Sequence, residues 1–207
     1  MKPIIHGRLI RAVFLILSFG VISSSALAQD IDWFDELEPL LTPPPVVQNS
    51  PSIATSSAST IKQVGDGNNA QTRQVGDNLA ETEQTGNGND SFLAQFGINN
   101  TASVNQTGSA NAAAGFQLGV GNSLEVNQQG YYLYGAGIQL GYNNELEINQ
   151  QGAASGVLAV QVGNNNETVV NQNGVGNLTI VETYASDRKV EVNTNTNFKV
   201  LVVRHYN

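Results

Sequence analysis

The sequence predicts an all-β protein: a two-sheet β-solenoid, cross-β-like, built of about 22-residue strand–turn–strand rungs. Three observations predict it. A Gln-x-Gly triplet recurs eleven times, eleven residues apart except for one ten-residue step from Gln74 to Gln84. A fixed short period is the signature of a solenoid or array, whose units bury themselves only against their neighbours. Between triplets, polar and apolar residues alternate with the period of two that belongs to strands. Finally, successive arms differ in the size of their apolar residues, which doubles the true repeat to twenty-two.

The elements follow in chain order. Residues 1–28 read as a signal peptide: Lys2, Arg8 and Arg11 form a basic start, Ala12–Ile22 an apolar stretch, and Ala26-Leu27-Ala28 a cleavage site. Residues 29–60 form an acidic, Pro-rich leader expected to be largely disordered. It holds Asp30, Asp32, Asp35, Glu36 and Glu38 and ends its run of prolines at Pro51. Residues 61–176 form the repeat solenoid. Residues 177–207 form divergent, basic C-terminal strands or a cap, with the triplet lost.

Within the array each arm reads Asn-x-φ-x-φ-x-Gln-x-Gly, where φ is apolar or small, as in Asn122–Gly130. Asn122, Leu124, Val126 and Gln128 then share one strand face. The glycines Gly65, Gly76, Gly86, Gly97, Gly108, Gly119, Gly130, Gly141, Gly152, Gly163 and Gly174 open Gly-x-x-Asn turns, because Gly and Asn tolerate positive φ. A right-handed helical coiled coil also has an eleven-residue period. Composition rejects it, since each interior Gly costs a helix about 1 kcal/mol relative to Ala. Pairs such as Leu124/Val126 and Leu146/Ile148 alternate with Ala113/Gly115 and Gly135/Gly137. Two sheets therefore pack large against small.

The inward amides are expected to form ladders. An amide carries both donor and acceptor, and burying it unpaired is costly. Its copy one rung away supplies the partner, as in the Asn/Gln stacks of amyloid. The expected ladder comprises Gln63, Gln74, Gln84, Gln95, Gln106, Gln117, Gln128, Gln139, Gln150, Gln161 and Gln172, with Asn68, Asn89, Asn100, Asn111, Asn122, Asn144 and Asn166.

Composition excludes several function classes. Removing residues 1–28 leaves six basic against seventeen acidic side chains, a net charge of −11, which argues against a nucleic-acid partner. There is no Cys, and His205 is the single His beyond residue 28. With no metal-ligand or Ser–His–acid constellation, neither catalysis nor a cofactor is expected.

Segments such as Gln63-Val-Gly-Asp-Gly-Asn-Asn and Gln161-Val-Gly-Asn-Asn-Asn match a Q-x-G-x-x-N pattern. In this the chain resembles the curlins, the amyloid subunits of curli fibres on Gram-negative bacteria. The resemblance covers about residues 57–177, with Leu133 and Ser155 departing at the Asn position. It implies an extracellular, amyloid-forming β-solenoid fibre in a biofilm matrix and export through an outer-membrane secretion channel. The implied partners are further copies of the chain and a major curlin-like subunit. The tail bears on which subunit this is, because Arg188, Lys189, Lys199 and Arg204 gather where ladder residues are lost. A basic, ladder-free end resembles the minor, nucleating curlin, and implies association with the cell surface; a simple solenoid cap is the alternative.

The outer faces are expected to differ. One carries Glu125, Glu145, Glu147 and Glu167; the other presents Phe92, Phe96, Phe116, Leu118, Tyr134, Ile138 and Leu140 as an interaction face, unless the inward parity is swapped there. That apolar face also suits a second reading, a monomeric β-solenoid adhesin or binding module.

Overall fold

The computed structural model describes residues 57–206. The expected signal peptide and the leader as far as residue 56 lie outside these residues. Twelve parallel strands wind through about 7 turns: β1 (Ala58–Val64), β2 (Asn69–Asn87), β3 (Asp90–Ser109), β4 (Ala112–Val120), β5 (Ser123–Tyr131), β6 (Tyr134–Tyr142), β7 (Glu145–Ala153), β8 (Gly156–Asn164), β9 (Glu167–Val175), β10 (Leu178–Tyr184), β11 (Lys189–Asn195) and β12 (Val200–Tyr206). No helix occurs among the described residues. The first strand begins at Ala58, and the triplet-free tail supplies β10, β11 and β12.

The strand order is β11-β9-β7-β5-β3-β4-β6-β8-β10-β12. Odd strands stack on one side of the column and even strands on the other. The two stacks share β2 and β3, which run through both arms of the first rungs, so hydrogen bonding is continuous around one corner. Register is set by identity: Gln106 pairs Gln128 and Gln128 pairs Gln150, each twenty-two residues on. The first rung is one residue shorter, with Gln63 opposite Gln84 and Gln74 opposite Gln95. A register shift between Asp77 and Asn78 restores the twenty-two-residue offset and leaves Asn99 as the extra residue, at φ 59°. The ten-residue step in the sequence is therefore a bulge, and the ladder passes it intact.

β1, β10, β11 and β12 have seven residues each, and β2–β9 are longer. The middle ones run for nine because each triplet glycine still pairs with its copy, as Gly108 does with Gly130. The bend falls two residues later, at a second left-handed position. Asn99, Asn143 and Asn165 fill it comfortably, whereas Ala110, Tyr132 and Ala154 hold φ of 49–56° at a cost that Asn or Gly largely avoids. Nothing in the repeat pattern marks that position, since its residue type varies.

The core is a single thin layer. Leu93, Val104, Leu124, Val126, Leu146, Ile148, Val170 and Val181 are buried within it. The large-against-small packing is visible at Leu124. A Cβ added to Gly115 or Gly137 on the facing stack would come within 2.5 Å of a Leu124 methyl, so even Ala there would require the Leu124 side chain to shift. Inward parity holds in the even strands: Ala113, Val157 and Ala159 join the core cluster, whereas Phe116 is half-buried and Leu158 and Val160, though buried, lie outside that cluster. This removes the swapped-parity alternative.

Candidate assembly surfaces

The interior amides build two glutamine columns and two asparagine corners. On the odd stack, Gln63 Nε2 donates to Gln84 Oε1 at 2.6 Å, Gln84 to Gln106 at 2.7 Å, Gln106 to Gln128 at 2.8 Å, Gln128 to Gln150 at 2.9 Å and Gln150 to Gln172 at 3.2 Å. On the even stack Gln74, Gln95, Gln117, Gln139 and Gln161 follow the same sequence at 2.8–2.9 Å. Every bond points the same way, with N–H donating toward the carboxy-terminal end. From Gln84 to Gln172 all of these side chains are buried, whereas Gln63 is exposed and Gln74 half-buried.

Apart from Gln150, whose second N–H turns to the nearby Ser155 carbonyl at 3.4 Å, the interior glutamines also cross the column with their second N–H. Gln95 donates to the carbonyl of Leu79 at 2.9 Å, Gln117 to Thr101 at 2.9 Å and Gln139 to Ser123 at 2.9 Å, each sixteen residues back on the opposite stack. One amide thus ties a rung to the next and one stack to the other, and its polar atoms are satisfied.

The asparagines occupy the corners. Asn100 Nδ2 donates back to Asn78 Oδ1 at 2.9 Å and forward to the Gly119 carbonyl at 3.0 Å. Asn122, Asn144 and Asn166 repeat the arrangement. The opposite corner runs from the half-buried Asn68 through Asn89 and Asn111. There Leu133 offers its backbone N–H to Asn111, and Ser155 Oγ accepts the N–H of Asn177. Sequence reasoning missed Asn78 and Asn177, which are buried members of the corners; counting back from Asn100 across the short step would have found Asn78. It also missed an outer ladder on the odd stack, where Asn105, Asn127, Asn149, Asn171 and Asn193 bond in series at 2.8–3.0 Å. An identical residue every twenty-two positions was its signal.

The glycines carry a second constraint besides conformation. All eleven triplet glycines have φ between 99° and 145°. At Gly119 a Cβ would also stand 1.9 Å from the carbonyl oxygen of Gly141 in the next rung, the acceptor of Asn122. Close stacking of backbone on backbone, as much as the turn, requires Gly here.

On the outer side of the even stack, Phe92, Phe96, Phe116, Tyr134, Ile138 and Leu140 are half-buried and Leu118 is exposed. Phe96 and Phe116 lie 5.8 Å apart, centroid to centroid. The acidic pairs of the other face stack as Glu125 on Glu147 and Glu145 on Glu167. Neighbouring asparagines donate to two of these carboxylates, Asn127 to Glu125 and Asn149 to Glu147. Among the described residues no cluster of three His, Cys, Asp or Glu side chains is arranged to hold a metal.

At the carboxy-terminal end the ladders stop. Thr183, Thr194 and His205 stand in the Gln register, and Arg188 and Lys199 in the Asn register. Gln172 turns instead to Thr179 Oγ1 at 2.9 Å, while the buried hydroxyls of Thr183 and Thr194 have no partner. Lys189 pairs with Glu167 and Arg204 with Glu182, both on the surface, where such pairs contribute little stability.

A family model for the curlin associated repeat matches residues 76–108 and 97–130. No curated protein and no solved structure matches the chain.

Proposed function

We propose, from the premise that this chain belongs to the curlin family, that it is a secreted structural subunit of a curli-type amyloid fibre that self-assembles by strand addition at its rung edges. One observation carries the reading: amide columns, buried from Gln84 to Gln172, begin at an exposed amino-terminal strand, so the interior bonding pattern is offered to another chain at that edge. The family supports a fibre subunit rather than an enzyme. Residues 1–28 direct export, an outer-membrane channel passes the mature chain, and the fibre serves surface adhesion and the biofilm matrix. Loss of ladder residues in the last rungs supports the minor, nucleating role, with the basic cluster Arg188, Lys189, Lys199 and Arg204 marking the end that attaches at the cell surface.

The test is incubation of purified residues 29–207 at neutral pH. Unbranched, thioflavin-positive fibres with a ~4.8 Å meridional reflection are expected, together with a shortened lag when the chain seeds a soluble major subunit. The outer face around Phe96, Phe116 and Leu118 favours a second reading, a monomeric adhesin that docks this face on a partner. A stable monomer at high concentration would select it.

A further inference from the structure

The last even strand is held to the column differently from the others. β12 is an edge strand paired to β10, and five of its seven residues are exposed. His205 stands opposite Thr183, whose hydroxyl is buried without a partner, so the amide ladder does not reach β12. On the outer face three contacts join the two strands. Arg204 Nε donates to Glu182 Oε2 at 2.8 Å, the Tyr206 hydroxyl donates to the same oxygen at 3.3 Å, and the rings of Tyr184 and Tyr206 stack.

The aromatic stack is a product of register. The chain holds six tyrosines, and only Tyr184 and Tyr206 stand twenty-two residues apart on neighbouring rungs. Tyr131 lies between Ser109 and Ala153, Tyr134 between Ala112 and Gly156, and Tyr142 between Val120 and Asn164. The rings of the pair are within 4° of parallel, with centroids 5.5 Å apart. That distance exceeds the ~4.8 Å rung spacing, so the rings are offset and the edge of one lies over the other. Tyr206 is 59% exposed, which opens its ring to an oxidant and leaves it room to turn. Tyr184 is half-buried. Burial first, then the Glu182 carboxylate, raises its phenol above the ordinary value, so it stays protonated at neutral pH.

We propose that Tyr184 and Tyr206 form an oxidative cross-linking site, at which a peroxide-driven dityrosine bond staples β12 to β10. Outside the cell disulfides are the usual covalent staple, and this chain has no Cys. Hydrogen peroxide, acting through a haem peroxidase, takes one electron from each phenol. The Tyr206 proton passes to the Glu182 carboxylate and the Tyr184 proton to water. The two phenoxyl radicals carry spin on the ring carbons next to oxygen, and one carbon–carbon bond forms there. The hydrogen on each bonded carbon then moves to its own oxygen and restores both phenols. Two phenols and one peroxide thus become one biphenol and two waters. The site belongs to the folded rung and does not depend on fibre assembly.

The test treats residues 29–207, in a preparation with β-type circular dichroism, with hydrogen peroxide and a haem peroxidase. Digestion after glutamate places Tyr184 in residues 183–191, Tyr206 in residues 192–207 and the other four tyrosines together in residues 126–145. Mass spectrometry is expected to find 183–191 joined to 192–207, less two hydrogens, about tenfold or more above any other dityrosine product, because stacking supplies the proximity. An equal mixture of unlabelled and heavy-isotope chain should give joined pairs of one label only. Y206F should abolish the product and Y142F should leave it. An unfolded chain would instead couple the closer-spaced tyrosines within 126–145. A joined pair no more abundant than that internal link, or pairs of mixed label, overturns the inference. Deuterium uptake at residues 200–206 should slow about tenfold or more in the linked chain, since the staple suppresses local opening; unchanged uptake overturns the stapling role. Whether fibres form in these preparations bears on the self-assembly reading alone.

Discussion

Replacing Gln139 by Leu probes the amide ladder at its most enclosed point. Gln139 is 0% exposed, accepts from Gln117 at 2.9 Å, and donates to Gln161 and to the Ser123 carbonyl, both at 2.9 Å. Leucine fills a similar volume but orphans one N–H on Gln117 and Oε1 on Gln161, at about 1–3 kcal/mol each. The extra apolar burial returns about 1–2 kcal/mol, so the net loss centres on about 2–3 kcal/mol. With an m-value of about 2 kcal/mol/M, the urea midpoint falls by roughly 1–2 M. Gln63→Leu is the control, because that side chain is exposed and its loss should cost under about 1 kcal/mol. Equilibrium unfolding of residues 29–207 by far-UV circular dichroism, at concentrations where the chain stays monomeric, reads both. Equal, small effects at positions 139 and 63 would refute buried amide pairing as the stabilising device. The triple variant Q117L/Q139L/Q161L sharpens the test. It leaves an orphan only at Gln95, so its cost should fall well below three times that of Gln139→Leu.

Gly119→Ala should destabilise by about 3 kcal/mol or more, since its Cβ meets the Gly141 carbonyl and displaces the acceptor of Asn122; the same unfolding assay reads it. Thr168→Val should stabilise by about 1 kcal/mol. The Thr168 hydroxyl is buried without a partner, between Leu146 and Val190 in the stack. Asp90→Asn should raise stability at pH 7 and leave it unchanged near pH 3. Burial holds the Asp90 carboxyl above its ordinary range, opposed in part by a hydrogen bond with Asn69. The folded state therefore prefers the protonated acid, and that preference is lost as pH rises through the raised value, a trend paired urea titrations will register.

Much of this architecture is legible without coordinates because its causes are local. Alternation along Asn122–Gln128 identifies the inward face, the eleven-residue spacing identifies the arms, and the contrast of Leu124 with Gly115 and Gly137 anticipates a thin core. Other features depend on residues sixteen to twenty-two positions away. The reach of Gln95 to Leu79 and the left-handed strain at Tyr132 and Ala154 have no local signature.

The sequence by itself determined the rung, its two faces and the residues that repeat in each, since period and polarity need only neighbouring positions. Tertiary structure alone decided the direction in which every amide donates, and hence that one end of the column offers acceptors while the other offers Thr194 and His205. Bond direction is a property of stacked rungs, and a single arm carries no information about it.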